Sequence, residues 1–200
     1  MNDLLNKYND YLRLEGCKIE YELEDNTIIV VPYREDGFLH LLGLHKLIDI
    51  QLIQFWQDKN NHSVKRKNVI RKIKSEKLTD ADVRNSVNFY KIKDRYEQFS
   101  YDNFTTVNYT DAIINFNAKL IGSSLKADYI LFEERPKNEY NHMAIAMDKK
   151  NNSRYIESFF HEPSINYQNG QTIKKIIKFT IKNPDDSILV SDIFEYNKKK

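Results

Sequence analysis

The sequence predicts an α+β fold, an N-terminal helical part followed by a small antiparallel β-sheet. Three observations predict it. Apolar residues recur at helical spacing in several segments before about residue 100. After about residue 112 the texture changes to short apolar and β-branched runs. Polar turn chemistry separates those runs, as at Asn151-Asn152-Ser153 and Asn169-Gly170. Helices first and a β-meander afterwards is an α+β order. Two hundred residues suit a single domain over 1–200. Within it, about 1–108 reads as mainly helical with a hairpin at 18–32, about 109–182 as mainly antiparallel strands, and 183–200 as a C-terminal tail.

Each element has its own signal. Residues 3–15 form an amphipathic helix through Leu4, Leu5, Tyr8, Tyr11 and Leu12. Residues 18–24 and 27–32 form a hairpin, with Asp25-Asn26 as the turn, the β-branched run Ile28-Ile29-Val30-Val31 as the second strand, and Pro32 at its end. The segment 39–57 is the clearest helix, carrying a wide stripe of Leu41, Leu44, Leu47, Ile48, Leu52, Phe55 and Trp56. On one continuous helix His40 and His45 stand about 140° apart around the axis, so they do not share a face. Residues 64–76 form a helix anchored by Val64, Ile70 and Ile73. Thr79 caps a further helical turn, and Ser86 caps a helix over 87–100 with Val87, Tyr90, Ile92, Tyr96 and Phe99 among charges. The expected strands are 112–116, 129–133, 142–147, 154–160 and 173–181.

Composition narrows the function classes. A single cysteine, Cys17, excludes an internal disulfide and fits a reducing compartment. The first residues lack the apolar core of a signal peptide, and no run approaches a membrane span, so the expectation is a cytoplasmic protein with no membrane partner. Net charge is +2 but unevenly placed. Residues 1–62 carry 6 basic and 11 acidic side chains, whereas 63–100 carry 11 basic and 5 acidic, a local excess of +6. The middle third is therefore where a polyanion contact is sought. Its helix carries Lys65, Arg66, Lys67, Arg71, Lys72 and Lys74, charges suited to a nucleic-acid backbone, with Phe89, Tyr90 and Tyr96 nearby as stacking surfaces.

There is no Gly-x-x-x-x-Gly-Lys or Gly-x-Gly-x-x-Gly loop, which argues against a nucleoside-triphosphate or dinucleotide enzyme. No Cys/His spacing suits structural zinc, and no tight carboxylate cluster marks a divalent-metal site, so no metal and no cofactor is expected. Metal-free RNA cleavage needs a base for the 2′-hydroxyl, an acid for the leaving 5′-oxygen and a cation for the phosphorane. The chain offers His40 and His45 in its most apolar helix, Lys126 and Tyr129 at the start of one strand, and Arg154, Ser158 and His161 on or beside another. Strict alternation places Arg154, Ile156 and Ser158 on one face. His62 and His142 read as a loop residue and a strand residue without a role.

The run Phe38-Leu39-His40-Leu41-Leu42-Gly43-Leu44-His45-Lys46-Leu47 resembles the F-x-HLLGI-x-K-L signature of a phage-associated family of predicted nucleases in the Barnase–EndoU–colicin E5/D–RelE class. Ser86-Val87-Asn88-Phe89 with Arg95-Tyr96 and Phe99, the stretch Lys126–Leu131, the stretch Arg154–Phe160, and Tyr167 with Gln171 are similar in kind. The resemblance spans roughly residues 20–182. It implies a helical part feeding a small sheet with a metal-independent ribonuclease site, a phage or mobile-element origin, and a toxin or effector role in a bacterial host cell. By motif match it carries over His40 and Ser158 first and Lys126 next; His45 and His161 rest on their chemistry. The expected activity is endoribonucleolytic transesterification through the 2′-hydroxyl, with RNA as substrate. The competing expectation is a non-catalytic phage- or plasmid-borne protein that binds a host factor or nucleic acid; a host protein or a cognate inhibitor is the partner expected besides RNA. A metal-dependent DNA-cleaving enzyme is a third, distinguished by its sensitivity to chelators.

Overall fold

A computed structural model describes residues 3–58, 60, 63–102, 109–135, 139–149, 152–162 and 166–194. The chain divides into two compact units. Met1–Glu15 with Arg34–Phe104 form a helical unit, and Gly16–Tyr33 with Thr105–Lys200 form a sheet unit. The hairpin expected within the helical part thus belongs to the sheet. Its inward residues Ile19, Tyr21, Ile29 and Val31 are buried, and its first strand finds its ladder partner some 160 residues later in the chain.

The helical unit contains α1 (Asp3–Leu12), α2 (Phe38–Leu41), α3 (Gln51–Gln57), α4 (Arg66–Lys74), α5 (Asp80–Arg84) and α6 (Lys93–Gln98). α1 buries Leu4, Tyr8 and Tyr11 on one face, as its period requires. Phe38 is completely buried, edge-on to Tyr8 at 5.2 Å and to Phe99 at 5.4 Å between ring centroids. Burial of such a ring contributes about 1.5–3 kcal/mol. Lys7 is drawn into this layer by two partners, Asp3 at 3.3 Å and the Phe99 carbonyl at 3.2 Å.

The single helix expected over 39–57 is instead three pieces: α2, a 3₁₀ turn over Leu44–Lys46, and α3. Gly43 makes the break, at φ +75° and ψ 16°, the left-handed conformation that ends helices and that residues with a Cβ resist. Its N–H donates to the His40 carbonyl at 2.9 Å. Ile48 and Phe55, expected in the apolar stripe, consequently stand exposed. The helix over 87–100 is also shorter than expected. Ser86 does not cap it: its hydroxyl donates to Asp49 at 2.7 Å and accepts from the Asn88 N–H at 3.1 Å. A 3₁₀ turn over Phe89–Lys91 follows before α6, and Val87 and Tyr90 face outward.

The cap at Thr79 is as expected. Its hydroxyl accepts from the Asp82 N–H, and the Asp82 carboxylate accepts from the Thr79 N–H at 2.8 Å, a reciprocal box at the start of α5. Thr79→Ala is expected to lower stability by about 1 kcal/mol, checked by urea unfolding. An unchanged midpoint would show that packing of Val83 alone holds α5.

In the sheet unit β1 (Lys18–Leu23), β2 (Ile28–Pro32), β3 (Asp111–Ile114), β4 (Tyr129–Arg135), β5 (Glu139–Asp148), β6 (Ser153–Glu162), β7 (Thr172–Lys182) and β8 (Ile188–Ile193) form one antiparallel, nearly closed sheet. Its order is β2-β1-β7-β3-β4-β5-β6, with β8 paired to β7. The long β7 organises it. Residues 172–175 pair with β3, and the remainder pairs with β1 and β8.

β8 replaces the expected tail. It is almost wholly exposed, so no burial pattern announced it. Its ladder with β7 and the turn before it hold it. In that turn Asn183 N–H donates to the Ser187 carbonyl at 2.8 Å, and Ser187 N–H donates to Asp185 at 3.0 Å. The last three lysines lie outside the described residues.

One core of this unit gathers Ile113, Ile130, Phe132, Tyr140 and Ala144. Cross-strand register aligns Ile113, Ile130, Ala144 and Ser158 in a row. A bulge at Glu157 then shifts the pairing, because Ser158 faces Ala144 while Ile156 faces Ile145. Arg154 and Ile156 therefore share one face and Ser158 points to the other, correcting the alternation expected for β6.

Candidate functional site: a histidine pair among arginines

The site in the helical unit is built by the break at Gly43. Had the chain continued as one helix, His40 and His45 would have faced apart. The left-handed turn folds the Leu44–Lys46 segment back, and the two imidazoles meet with ring centroids 4.8 Å apart and 42° between planes. Trp56, from α3, stands edge-on to His40 at 5.9 Å. Arg66, the first residue of α4, places Nη2 3.0 Å from His40 Nε2. A guanidinium can only donate, so Nε2 accepts and His40 carries its proton on Nδ1 in this arrangement. The helix supplies Arg66 because its apolar residues Val69, Ile70 and Ile73 lock its other face into the unit. Val69, rather than the expected Val64, completes that anchor.

The groups that act electrostatically on His45 are all basic. Burial first, and then the basic neighbours His40, Lys46, Arg95 and Arg66, pull its imidazole down from 6.5 to about 3. His45 is thus a neutral ring at physiological pH. Its Nδ1 is buried and has no hydrogen-bond partner. The sign for stability follows. Below about pH 6.5 the unfolded chain binds a proton at His45 that the folded chain refuses until about pH 3. Stability attributable to this ring is complete above that range and is lost as pH falls through it. The slope is at most about 1.4 kcal/mol per pH unit, reduced by the ring's partial exposure. His45→Gln is expected to flatten the acid limb of a pH series of urea unfolding midpoints. Parallel limbs for wild type and variant would remove the assignment.

Three neighbours were given no site role from the sequence: Trp56, Lys46 and Arg95. For Arg95 a signal existed. It falls on the apolar stripe of Ile92, Tyr96 and Phe99, at i+3 from Ile92, where an arginine needs a reason. It is buried, at 9% exposure, and burial draws its guanidinium down to about 10.

The remaining cations of α4, with Lys65 just before it, divide. Lys65, Lys67 and Arg71 are exposed, and Lys72 is half-buried. Lys74 is engaged by Glu35 at 2.9 Å and lies over the Tyr8 ring, with Tyr8 donating to the same carboxylate. Its pKa is raised by those partners. Lys74 is therefore a tie within the unit rather than part of an open cationic face.

The other expected site residues belong to the sheet unit. Lys126 is exposed, three residues ahead of β4. Ser158 is half-buried at the end of the Ile113–Ile130–Ala144 row. Among the described residues no hydrogen bond joins Lys126 to Ser158. The backbone of His161, in β6, pairs with Asn141 of β5, but its side chain lies outside the described residues, as does His62. Arg154 covers the Tyr129 ring at 5.2 Å, with Nη2 3.4 Å from the Tyr129 hydroxyl. His142 is completely buried and stacks on Phe160 at 4.8 Å and 13°, with Tyr167 beside it, so it is a core residue of the sheet.

Among the described residues no three His, Cys, Asp or Glu side chains gather as a metal site. No described helix is long and apolar enough to cross a membrane. Comparison of the chain with protein-family models, with curated proteins and with solved structures finds no match.

Proposed function

We propose that this chain is a metal-independent endoribonuclease of the Barnase–EndoU–colicin E5/D–RelE class, of phage or mobile-element origin, which cleaves RNA by attack of the 2′-hydroxyl. The observation that carries the reading is the His40–His45 pair with Arg66 bound to His40 Nε2. An RNA phosphate competes with His40 for the Arg66 guanidinium, because a charge-assisted bond to phosphate is stronger than one to a neutral imidazole. Release of Arg66 frees the Nε2 lone pair. His40 then takes the 2′-hydroxyl proton as the 2′-oxygen bonds to phosphorus. The bond from phosphorus to the 5′-oxygen breaks, and that oxygen takes a proton from solvent water to leave as a hydroxyl. Arg66 remains on the phosphate and stabilises the charge that builds there. The exposed Lys65, Lys67 and Arg71 hold the backbone on either side.

The test is incubation of the purified chain with tRNA and mRNA in EDTA. Products ending in 2′,3′-cyclic phosphate and 5′-hydroxyl are expected, and binding weakens steeply with salt. A second reading, a non-catalytic module that binds RNA or a host protein, is favoured by one observation. His45, held neutral, supplies no acid at neutral pH. Retained RNA binding with no cleavage across a broad RNA set would establish it.

A further inference from the structure

We propose that Arg95, His45 and Lys46 form a binding site for one tetrahedral phosphoryl group, seated on the left-handed turn at Gly43. Four observations converge on it. Arg95 is 9% exposed, and its Nη1 is buried with no hydrogen-bond partner. His45 Nδ1 is in the same condition. Among the described residues no carboxylate pairs with Arg95, His45 or Lys46, and the groups besides these three that act electrostatically on His45 or Lys46 are Arg66, His40 and Lys91, all basic. Arg95 is also pressed onto the turn that carries the other two. A Cβ added at Gly43 would come within 2.9 Å of Arg95 Cδ and 3.1 Å of Nη1.

An unpaired buried cation opposes folding, so Arg95, held with the half-buried Lys46 and the neutral His45 against a glycine turn, is explained by what neutralises it. The donors are a planar guanidinium, an imidazole N–H and an ammonium. Three donors of different shape, carried by two elements, suit the three oxygens of a phosphoryl group better than the two of a planar carboxylate. Bound phosphate supplies the missing negative charge, and the depressed His45 ring then regains its proton more easily.

The site stands apart from the cleavage reading, since it requires binding only. The experiment uses the full chain and NMR signals of the His45 ring and the Arg95 side chain. Inorganic phosphate is titrated in one arm, and a fully 2′-O-methylated RNA oligonucleotide, which this chemistry cannot cleave, in the other. Saturable shifts with phosphate are expected, with the His45 titration moving to higher pH. Arg95→Met and Lys46→Met are each expected to weaken phosphate binding by about ten- to a hundredfold. Lys119→Met, in the sheet unit, is expected to leave binding unchanged. Arg95→Met is also expected to be at least as resistant to urea as wild type, because it removes a buried charge that no described carboxylate pairs; Lys46→Met reads the site at a half-buried position. Shifts of the same signals by the oligonucleotide assign the group to an RNA backbone. Shifts by phosphate alone assign it to a small phosphorylated ligand, and both outcomes uphold the site. No saturable shift in either arm, or wild-type affinity in both Met variants, overturns it. Binding retained without any RNA cleavage overturns the nuclease reading and leaves this one intact.

Discussion

His40→Ala is expected to reduce RNA cleavage by about 10²–10⁴-fold, the range that one positioned proton carrier supplies. The loss is expected in kcat more than in RNA affinity, because the Arg66 guanidinium that meets the phosphate remains. Arg66→Met is expected to do the reverse in part, weakening RNA binding as well as turnover, since it removes both the phosphate contact and the partner of Nε2. Single-turnover cleavage with an end-labelled RNA in EDTA, with the salt dependence of binding measured beside it, separates the two effects. Unchanged cleavage by His40→Ala would remove His40 from the chemistry, whatever activity the chain has. His40→Gln is the control for packing, because it retains a polar group against Trp56 without a titratable nitrogen.

Gly43→Ala is expected to destabilise the helical unit by about 2–5 kcal/mol. Two effects add. A left-handed φ of +75° strains any residue with a Cβ by about 1–2 kcal/mol. The new Cβ also meets Arg95 Cδ and Ile92 Cγ2 at 2.9 Å each, and overpacking of this kind adds about 1–3 kcal/mol. Gly122→Ala is the comparison. Gly122 too has a left-handed φ, of +64°, but a Cβ there would meet nothing within 4 Å. Its variant is expected to show the conformational effect alone, and the difference between the two urea midpoints isolates the packing term. Because Gly43 brings the two imidazoles together, its variant is also expected to lose the mutual influence of their titrations by NMR. Equal, small effects at both glycines would mean that the break in the helix does not depend on Gly43.

Local signals read well where one short segment decided the structure. The hairpin at β1 and β2 was legible because its strands are β-branched and alternate, and Asp25 and Asn26 form the turn, with Asn26 at φ +64°. The Thr79 cap was legible because a threonine and an aspartate three residues apart satisfy each other's backbone groups without help from elsewhere. The helix over 39–57 was misread because its stripe of leucines fits a continuous helix and a broken one equally. Gly43 was the one dissenting residue, and its preference became decisive only with Arg95 of α6, and Ile92 just before that helix, packed against it. β8 escaped because a strand exposed on nearly every residue has no periodic burial, only the hydrogen bonds of its neighbour. The face of Ser158 was misassigned because a bulge costs the sequence no visible residue.

By itself the sequence determined the order of helices and strands, the cationic excess between residues 63 and 100, and the presence of two histidines in an apolar run. These follow from composition and short-range periodicity, which each segment carries with it. Only the tertiary structure decided that His40 and His45 touch, that Arg66 reaches His40, that Arg95 lies buried with no counterion among the described residues, and that Lys74 is tied to Glu35. It also assigned the hairpin to the sheet unit, apart from its neighbours in the chain. The physical reason is the same in each case. A backbone conformation at one glycine, or a ladder with a strand far along the chain, is chosen by contacts between residues that no local pattern links.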